Sequence, residues 1–219
     1  MRMGKVVARI EEIGIIPVIR ASSSLEAIRA VEAIRLGGIP IVEITMTVPD
    51  AVTVIRDVVR QYEEEVLVGA GTVVSEEQAK RCIDAGADFL VSPGLSVAVL
   101  SVASASEILA IPGALTPTEL MNAQSNGAKL IKIFPCGNVG GPKYLKALKA
   151  PFPGAELIPT GGVNASNAGD FIRAGAFALG VGGDLVDAAA LRDGNAAKVT
   201  AAARELVEAV RLARNSSVV

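Results

Sequence analysis

Short aliphatic runs recur along the chain, each closing on a small or polar residue and each followed by an amphipathic stretch. They are IIPVIR (15–20), IPIVEIT (39–45), VLVGAG (66–71), DFLVSP (88–93), EILAIPG (107–113), KLIKIFP (129–135), ELIPTGG (156–162) and FALGVGG (177–183). Runs this short, rich in Ile and Val and lacking strict polar alternation, predict strands covered on both faces. Helix signals fill the intervals. Ser24 to Leu36 carries a Ser cap and runs into Gly37-Gly38; Pro49 to Gln61 opens on Pro. Ser75 to Gln78 has capping-box spacing ahead of a helix ending near Gly86, and Thr116-Pro-Thr-Glu119 opens another that stops near Gly127. Ser166 to Ala174 precedes Gly175, and a last helix over roughly 195–214 starts at Asn195.

Eight alternating β and α units in 219 residues predict an α/β fold: one compact (β/α)8 TIM barrel over 1–219, with a short N-terminal helix at 4–12. A doubly wound open sheet fits less well, because it usually has fewer strands and no GxGxxG follows the first run. Composition narrows the picture. Hydrophobic residues make up 51% and aromatics 3%, so the core is aliphatic; the net charge of −2 carries no basic block, which argues against nucleic-acid binding. The N-terminus carries charges throughout, unlike a signal peptide, and the longest uncharged run, 89–106, contains Pro93, Gly94 and five serines, a poor membrane span. Cys82 and Cys136 stand 54 positions apart and form no ligand cluster. These features together predict a soluble cytoplasmic protein. The chain has no His, which removes every mechanism that needs a His base, ligand or triad member.

Two charges interrupt the aliphatic runs. Glu43 stands between Val42 and Ile44 in the second, Lys132 between Ile131 and Ile133 in the sixth. The second and sixth strands of an eight-stranded barrel are opposite each other, and alternate strands fill the same interior layer, so both side chains are expected in the lumen. One reading is a structural ion pair. The other is an amine nucleophile, because desolvation disfavours an ammonium ion and frees the lone pair that attacks a carbonyl, with the carboxylate moving protons.

Glycines at later strand ends offer a second signal. Thr160-Gly161-Gly162 precedes a helix and Gly182-Gly183 follows the eighth run; their amides either cradle an anion, in this fold usually a phosphate, or merely permit tight turns. Gly71 and Thr72 offer an amide and a hydroxyl for a small carboxylate, and Arg20 is either a cation at the barrel mouth or an ordinary surface residue. Cys136, without a His or a second Cys nearby in sequence, reads as a buried, unreactive thiol.

Taken jointly, VEITMTVPDA (42–51), VGAGTV (68–73), VSPGL (91–95), IPGALTPTEL (111–120), KIFP (132–135), GGPKYLKALKAPFP (140–153) and PTGGVN (159–164) resemble the 2-keto-3-deoxy-6-phosphogluconate aldolase family, which includes 4-hydroxy-2-oxoglutarate aldolases. The resemblance spans nearly the whole chain. It implies a class I aldolase that needs neither metal nor cofactor, is usually a homotrimer, and releases pyruvate from a keto-acid substrate in Entner–Doudoroff carbohydrate metabolism. It further implies Lys132 as the Schiff-base lysine, Glu43 as general acid/base, and Gly71 with Thr72 at the pyruvyl carboxylate. Pro93 and Phe134 would line the pocket, with Thr160, Gly161, Gly162, Gly182 and Gly183 at the phosphate.

The chain departs from the family pattern twice. Thr47 stands where some members carry Arg, and Arg20 is expected to take over that anion recognition. Gly183 stands where Ser is frequent, which removes one hydroxyl donor. Other readings remain at this point: an aldolase for 2-keto-3-deoxy-6-phosphogalactonate or an unphosphorylated keto-deoxy acid, a phosphosugar isomerase or epimerase that uses Glu43 without a covalent lysine, and a non-catalytic phosphosugar-binding protein in which Glu43 and Lys132 simply pair.

Overall fold

The computed structural model describes residues 2–216. The aliphatic runs form parallel strands: β1 (Ile15–Ile19), β2 (Ile41–Thr45), β3 (Leu67–Gly71), β4 (Phe89–Val91), β5 (Leu109–Ile111), β6 (Gly113–Ala114), β7 (Leu130–Ile133), β8 (Glu156–Pro159) and β9 (Leu179–Val181). β1, β2 and β7 are buried at every position, as strands covered on both faces must be. Hydrogen bonding orders one sheet as β5-β4-β3-β2-β1-β9 and a second as β6-β7-β8. The fifth aliphatic run is therefore two strands. Pro112 separates them, since proline has no N–H to donate to a ladder. Its carbonyl still accepts from Lys132 N at 2.9 Å, which ties this break to β7. At the other end of the second sheet, Thr160 bridges to Gly180 in parallel. The sheet curls, because side chains on β2 and β7, strands that share no ladder, meet inside it.

The helices are α1 (Arg2–Ile13), α2 (Ser24–Leu36), α3 (Ala51–Tyr62), α4 (Glu76–Asp84), α5 (Val97–Ala105), α6 (Pro117–Ser125), α7 (Pro142–Lys149), α8 (Ala165–Arg173), α9 (Ala188–Arg192) and α10 (Ala196–Asn215). Side-chain caps set many of the starts. Ser23, Ser75, Ser96, Thr116, Asn164 and Asp187 each accept from a first-turn amide, and Thr116 with Glu119 completes a capping box. Asn195 occupies the cap position of α10 but makes no such bond. Three helices lie outside the sequence expectation: α5, α7 and α9.

α1 buries Val6 and Ile10 in the core. α10 ties back to it: Arg214 donates to Glu12 O at 2.8 Å and Glu11 O at 2.6 Å, and so serves the last carbonyls of α1. These contacts belong to the N-terminal end of β1, away from the loops at the C-terminal strand ends. No helix among the described residues is long and apolar enough to cross a membrane.

Candidate active site

Among the described residues, five polar ones are buried in this aliphatic interior: Glu43, Thr45, Ser92, Lys132 and Thr160. Each lies on a strand or within two residues of a strand's C-terminal end. Glu43 pairs in register with Val18 on one side and Gly69 on the other; Lys132 pairs with Gly113 and Ile158. Curling of the sheet brings the two side chains together. Lys132 Nζ stands 3.8 Å from Glu43 Oε1, with side-chain exposures of 6% and 3%. That separation is an ion-pair contact but too long for a hydrogen bond. Glu43 Oε1 is the one buried side-chain oxygen or nitrogen among the described residues without a hydrogen-bond partner. An unsatisfied buried carboxylate oxygen costs stability, so its presence calls for a reason other than packing. The two charges that interrupt the aliphatic runs thus face one another across the lumen.

Phe134, two residues along from Lys132, is half-buried, and the lysine nitrogen stands 5.4 Å from its ring centroid. The other face of the neighbourhood is the Gly161–Gly162 turn: a methyl built on Gly161 would come within 3.6 Å of the Phe134 ring. Phe134 is therefore a neighbour of both the amine and that turn. Gly161 and Gly162 have φ of +89° and +75°, a pair of left-handed conformations that side chains disfavour. Two hydrogen bonds hold the turn. Gly137 N donates to Gly161 O at 2.9 Å, and Asn167 Nδ2 donates to Gly162 O at 2.8 Å. α8 begins immediately after it, capped by Asn164. Consecutive amides leading into a helix start favour an anion.

Gly182 and Gly183 follow β9. The Gly182 carbonyl is engaged by Leu185 N and Val186 N, each at 2.9 Å. Arg20 follows β1, is exposed, and has a guanidinium nitrogen 3.7 Å from where a Gly182 methyl would be. Arg20 and the last glycine loop are thus neighbours at the C-terminal strand ends. Thr160 is 6% exposed, and its Oγ1 makes a 3.3 Å bond to Ile158 O.

Thr72 follows Gly71 directly after β3 and has φ of +59°. A β-branched residue in that region is strained by about 1–3 kcal/mol, a cost that accumulates at functional sites. Pro93 is exposed just past β4, and its carbonyl occupies the space a side chain on Gly113 would need. Cys136 is buried, and burial pushes its thiol up to about 11, which keeps it unreactive.

Sequence reasoning missed Thr45 and Ser92. Thr45 Oγ1 donates to Ile19 O at 2.9 Å, and since a hydroxyl has one proton, the 2.7 Å contact with Thr47 Oγ1 is donated by Thr47. Thr45 sits two positions after Glu43, on the same strand face, and that period was the available signal. Ser92 donates to Gly94 O at 2.7 Å, which fixes the loop carrying Pro93.

A family model for KDPG and KHG aldolases matches residues 6–202. The chain belongs to the KDPG and KHG aldolase family. This aldolase, a carbon–carbon lyase by that membership, is 37% identical over 199 residues to the KHG/KDPG aldolase of Escherichia coli (strain K12), covering 90% of this chain and 92% of that one. It is 37% identical over 194 residues to the 2-dehydro-3-deoxy-phosphogluconate aldolase of Dickeya dadantii (strain 3937), covering 88% and 90%. Among solved structures, the KDPG aldolase from Legionella pneumophila with pyruvate captured at low pH as a covalent carbinolamine intermediate is similar at a TM-score of 0.84 and 31% identity, over 91% of this chain and 97% of that one.

Proposed function

We propose that this aldolase is a class I enzyme that cleaves 2-keto-3-deoxy-6-phosphogluconate to pyruvate and glyceraldehyde 3-phosphate. It also takes 4-hydroxy-2-oxoglutarate, giving pyruvate and glyoxylate. The observation that carries the reading is the buried amine of Lys132 facing the unsatisfied Glu43 carboxylate at 3.8 Å. A structural pair in so apolar a setting would be expected to close into hydrogen bonds.

The amine of Lys132 adds to the C2 carbonyl of the substrate and forms a carbinolamine. Loss of water gives an iminium ion, with Glu43 moving the protons. Glu43 then takes the proton of the C4 hydroxyl. The C3–C4 bond breaks, its electron pair passes into an enamine, and C4 leaves as the aldehyde. Protonation at C3 and hydrolysis of the iminium release pyruvate and restore the amine.

Gly71 and Thr72 receive the pyruvyl carboxylate, and Pro93 and Phe134 line the pocket. The amides of Gly161, Gly162, Gly182 and Gly183, with the Thr160 hydroxyl and Arg20, hold the phosphate. Holding the substrate at both ends orients C2 against the amine. Arg20 provides the cation that Thr47 does not.

The same reading makes β5 and β6 one strand of a closed (β/α)8 barrel, supported by the bond from Lys132 N to Pro112 O and the Thr160–Gly180 bridge at the two seams. It also makes α1 the leading helix of a single domain over 1–219, in a cytoplasmic homotrimer acting in the Entner–Doudoroff pathway. The test is release of pyruvate from a panel of keto acids. The phosphorylated 2-keto-3-deoxy acid is expected to exceed its unphosphorylated counterpart in kcat/KM by roughly tenfold or more, the scale of one charge-assisted anchor. No pyruvate from any member of the panel would overturn the proposal.

A further inference from the structure

The Glu43 carboxylate is held in place without a hydrogen bond to Oε1, and the neighbouring strand explains how. Thr45 on β2 is in register with Gly71 on β3, so Gly71 lies one step further along the strand face that Glu43 shares. A Cβ built on Gly71 would lie 2.0 Å from Glu43 Oε1 and 2.6 Å from its Cδ and Cγ. Real Cβ atoms essentially never approach other atoms closer than 3.0 Å, so the carboxylate occupies the volume that a side chain at 71 would fill. Oε1, the atom nearest that position, is also the one facing Lys132 Nζ. The backbone itself does not require glycine here: Gly71 is absent from the left-handed residues among those described, and its carbonyl makes an ordinary 2.8 Å bond to Met46 N. Alanine fits that backbone and keeps the amide. What it lacks is room.

We infer that Gly71 is a positioning residue for the catalytic carboxylate: its missing side chain is the space through which Glu43 reaches Lys132. The inference rests on Glu43 as the acid/base of the proposed reaction. In a Gly71→Ala chain the carboxylate is displaced from the amine. The backbone amide that meets the substrate carboxylate remains.

A double-mutant cycle tests this. Gly71→Ala is expected to lower kcat with pyruvate-releasing substrate about 100-fold, the lower range for loss of a positioned acid/base, while KM stays within about threefold. In the Glu43→Ala background the three atoms nearest the new methyl, Oε1, Cδ and Cγ of Glu43, are gone. Adding Gly71→Ala there is expected to leave the thermal midpoint nearly unchanged and to lower kcat far less than it does in the parent. If Gly71→Ala alone does not fold, the same cycle is read from folding, and Glu43→Ala is expected to restore it. A Gly71→Ala enzyme with kcat within threefold of the parent would overturn the inference. So would an equal loss of kcat or of melting temperature in both backgrounds. A fully active Glu43→Ala enzyme would instead refute the acid/base reading, leaving the steric coupling to be judged from the melting temperatures alone.

Discussion

Two carboxylate–cation clusters in this molecule are built in opposite ways. Between α2 and α3, Glu32 accepts from Arg35 Nε and Nη2, both at 3.1 Å, and from Tyr62 OH at 2.7 Å, while Arg35 lies 5.4 Å over the Tyr62 ring. Every partner is used, and the cluster reaches solvent. The Arg35 bonds, then that of Tyr62, hold the Glu32 carboxyl below its ordinary range. In the lumen, Glu43 and Lys132 are far more deeply buried, yet stand 3.8 Å apart with Oε1 unsatisfied. Desolvation makes an unsatisfied pair costlier than an exposed one, so stability alone would close the second cluster before the first. The arrangement is the reverse. The outer cluster joins two helices; in the proposed reaction the inner one keeps its groups available for a reacting molecule.

If that contrast holds, the inner residues govern rate and the outer ones govern stability. Lys132→Ala is expected to have the largest effect, a loss of kcat on the order of 10^5-fold, comparable to removing other covalent nucleophiles. Steady-state cleavage assays read it. Glu43→Gln keeps the shape but cannot accept a proton, and kcat is expected to fall roughly 10^2 to 10^4-fold while pyruvate still binds. Arg20→Ala, at the outer edge of the site, is expected to raise KM for the phosphorylated substrate about tenfold and to leave the unphosphorylated one little changed.

The outer cluster should respond in stability only. Tyr62→Phe removes one bond to a carboxylate, worth about 1–2 kcal/mol in denaturant unfolding, with kcat unchanged. It also predicts a pH signature. Burial, and then the bond to Glu32, push the Tyr62 phenol up to about 12 from an ordinary value of 10.0. A raised folded value means that the neutral phenol is favoured in the native state. Its contribution is therefore complete below pH 10 and is lost as pH rises from about 10 towards 12. The parent protein is expected to lose stability across that window more steeply than Tyr62→Phe. Equal slopes would contradict the role given to this cluster.

Much of this was legible in the chain itself, because the strong signals were local. Aliphatic runs without alternation specify doubly covered strands, and the charges at Glu43 and Lys132 are conspicuous within them. What escaped depends on partners distant in sequence or on patterns without contrast. α5, VAVLSVASA, has no charged face, so periodicity could not distinguish it from a loop or a strand, and α7 follows two glycines and opens on Pro142. The division of the fifth run at Pro112 is a hydrogen-bonding event across strands. Thr45 reads as one more small residue until Ile19 O and Thr47 appear beside it. The sequence resemblance implies Gly71 only as a substrate contact; the space it leaves for Glu43 arises from the register of β2 on β3.

The central claim, that the Lys132 amine bonds covalently to the keto acid, is tested most directly by incubating the protein with pyruvate and borohydride and locating the adduct by peptide mass spectrometry. A reduced pyruvyl adduct on the peptide containing Lys132, absent from Lys132→Ala, is the predicted result. An unmodified Lys132 peptide from enzyme that turns over normally would contradict it.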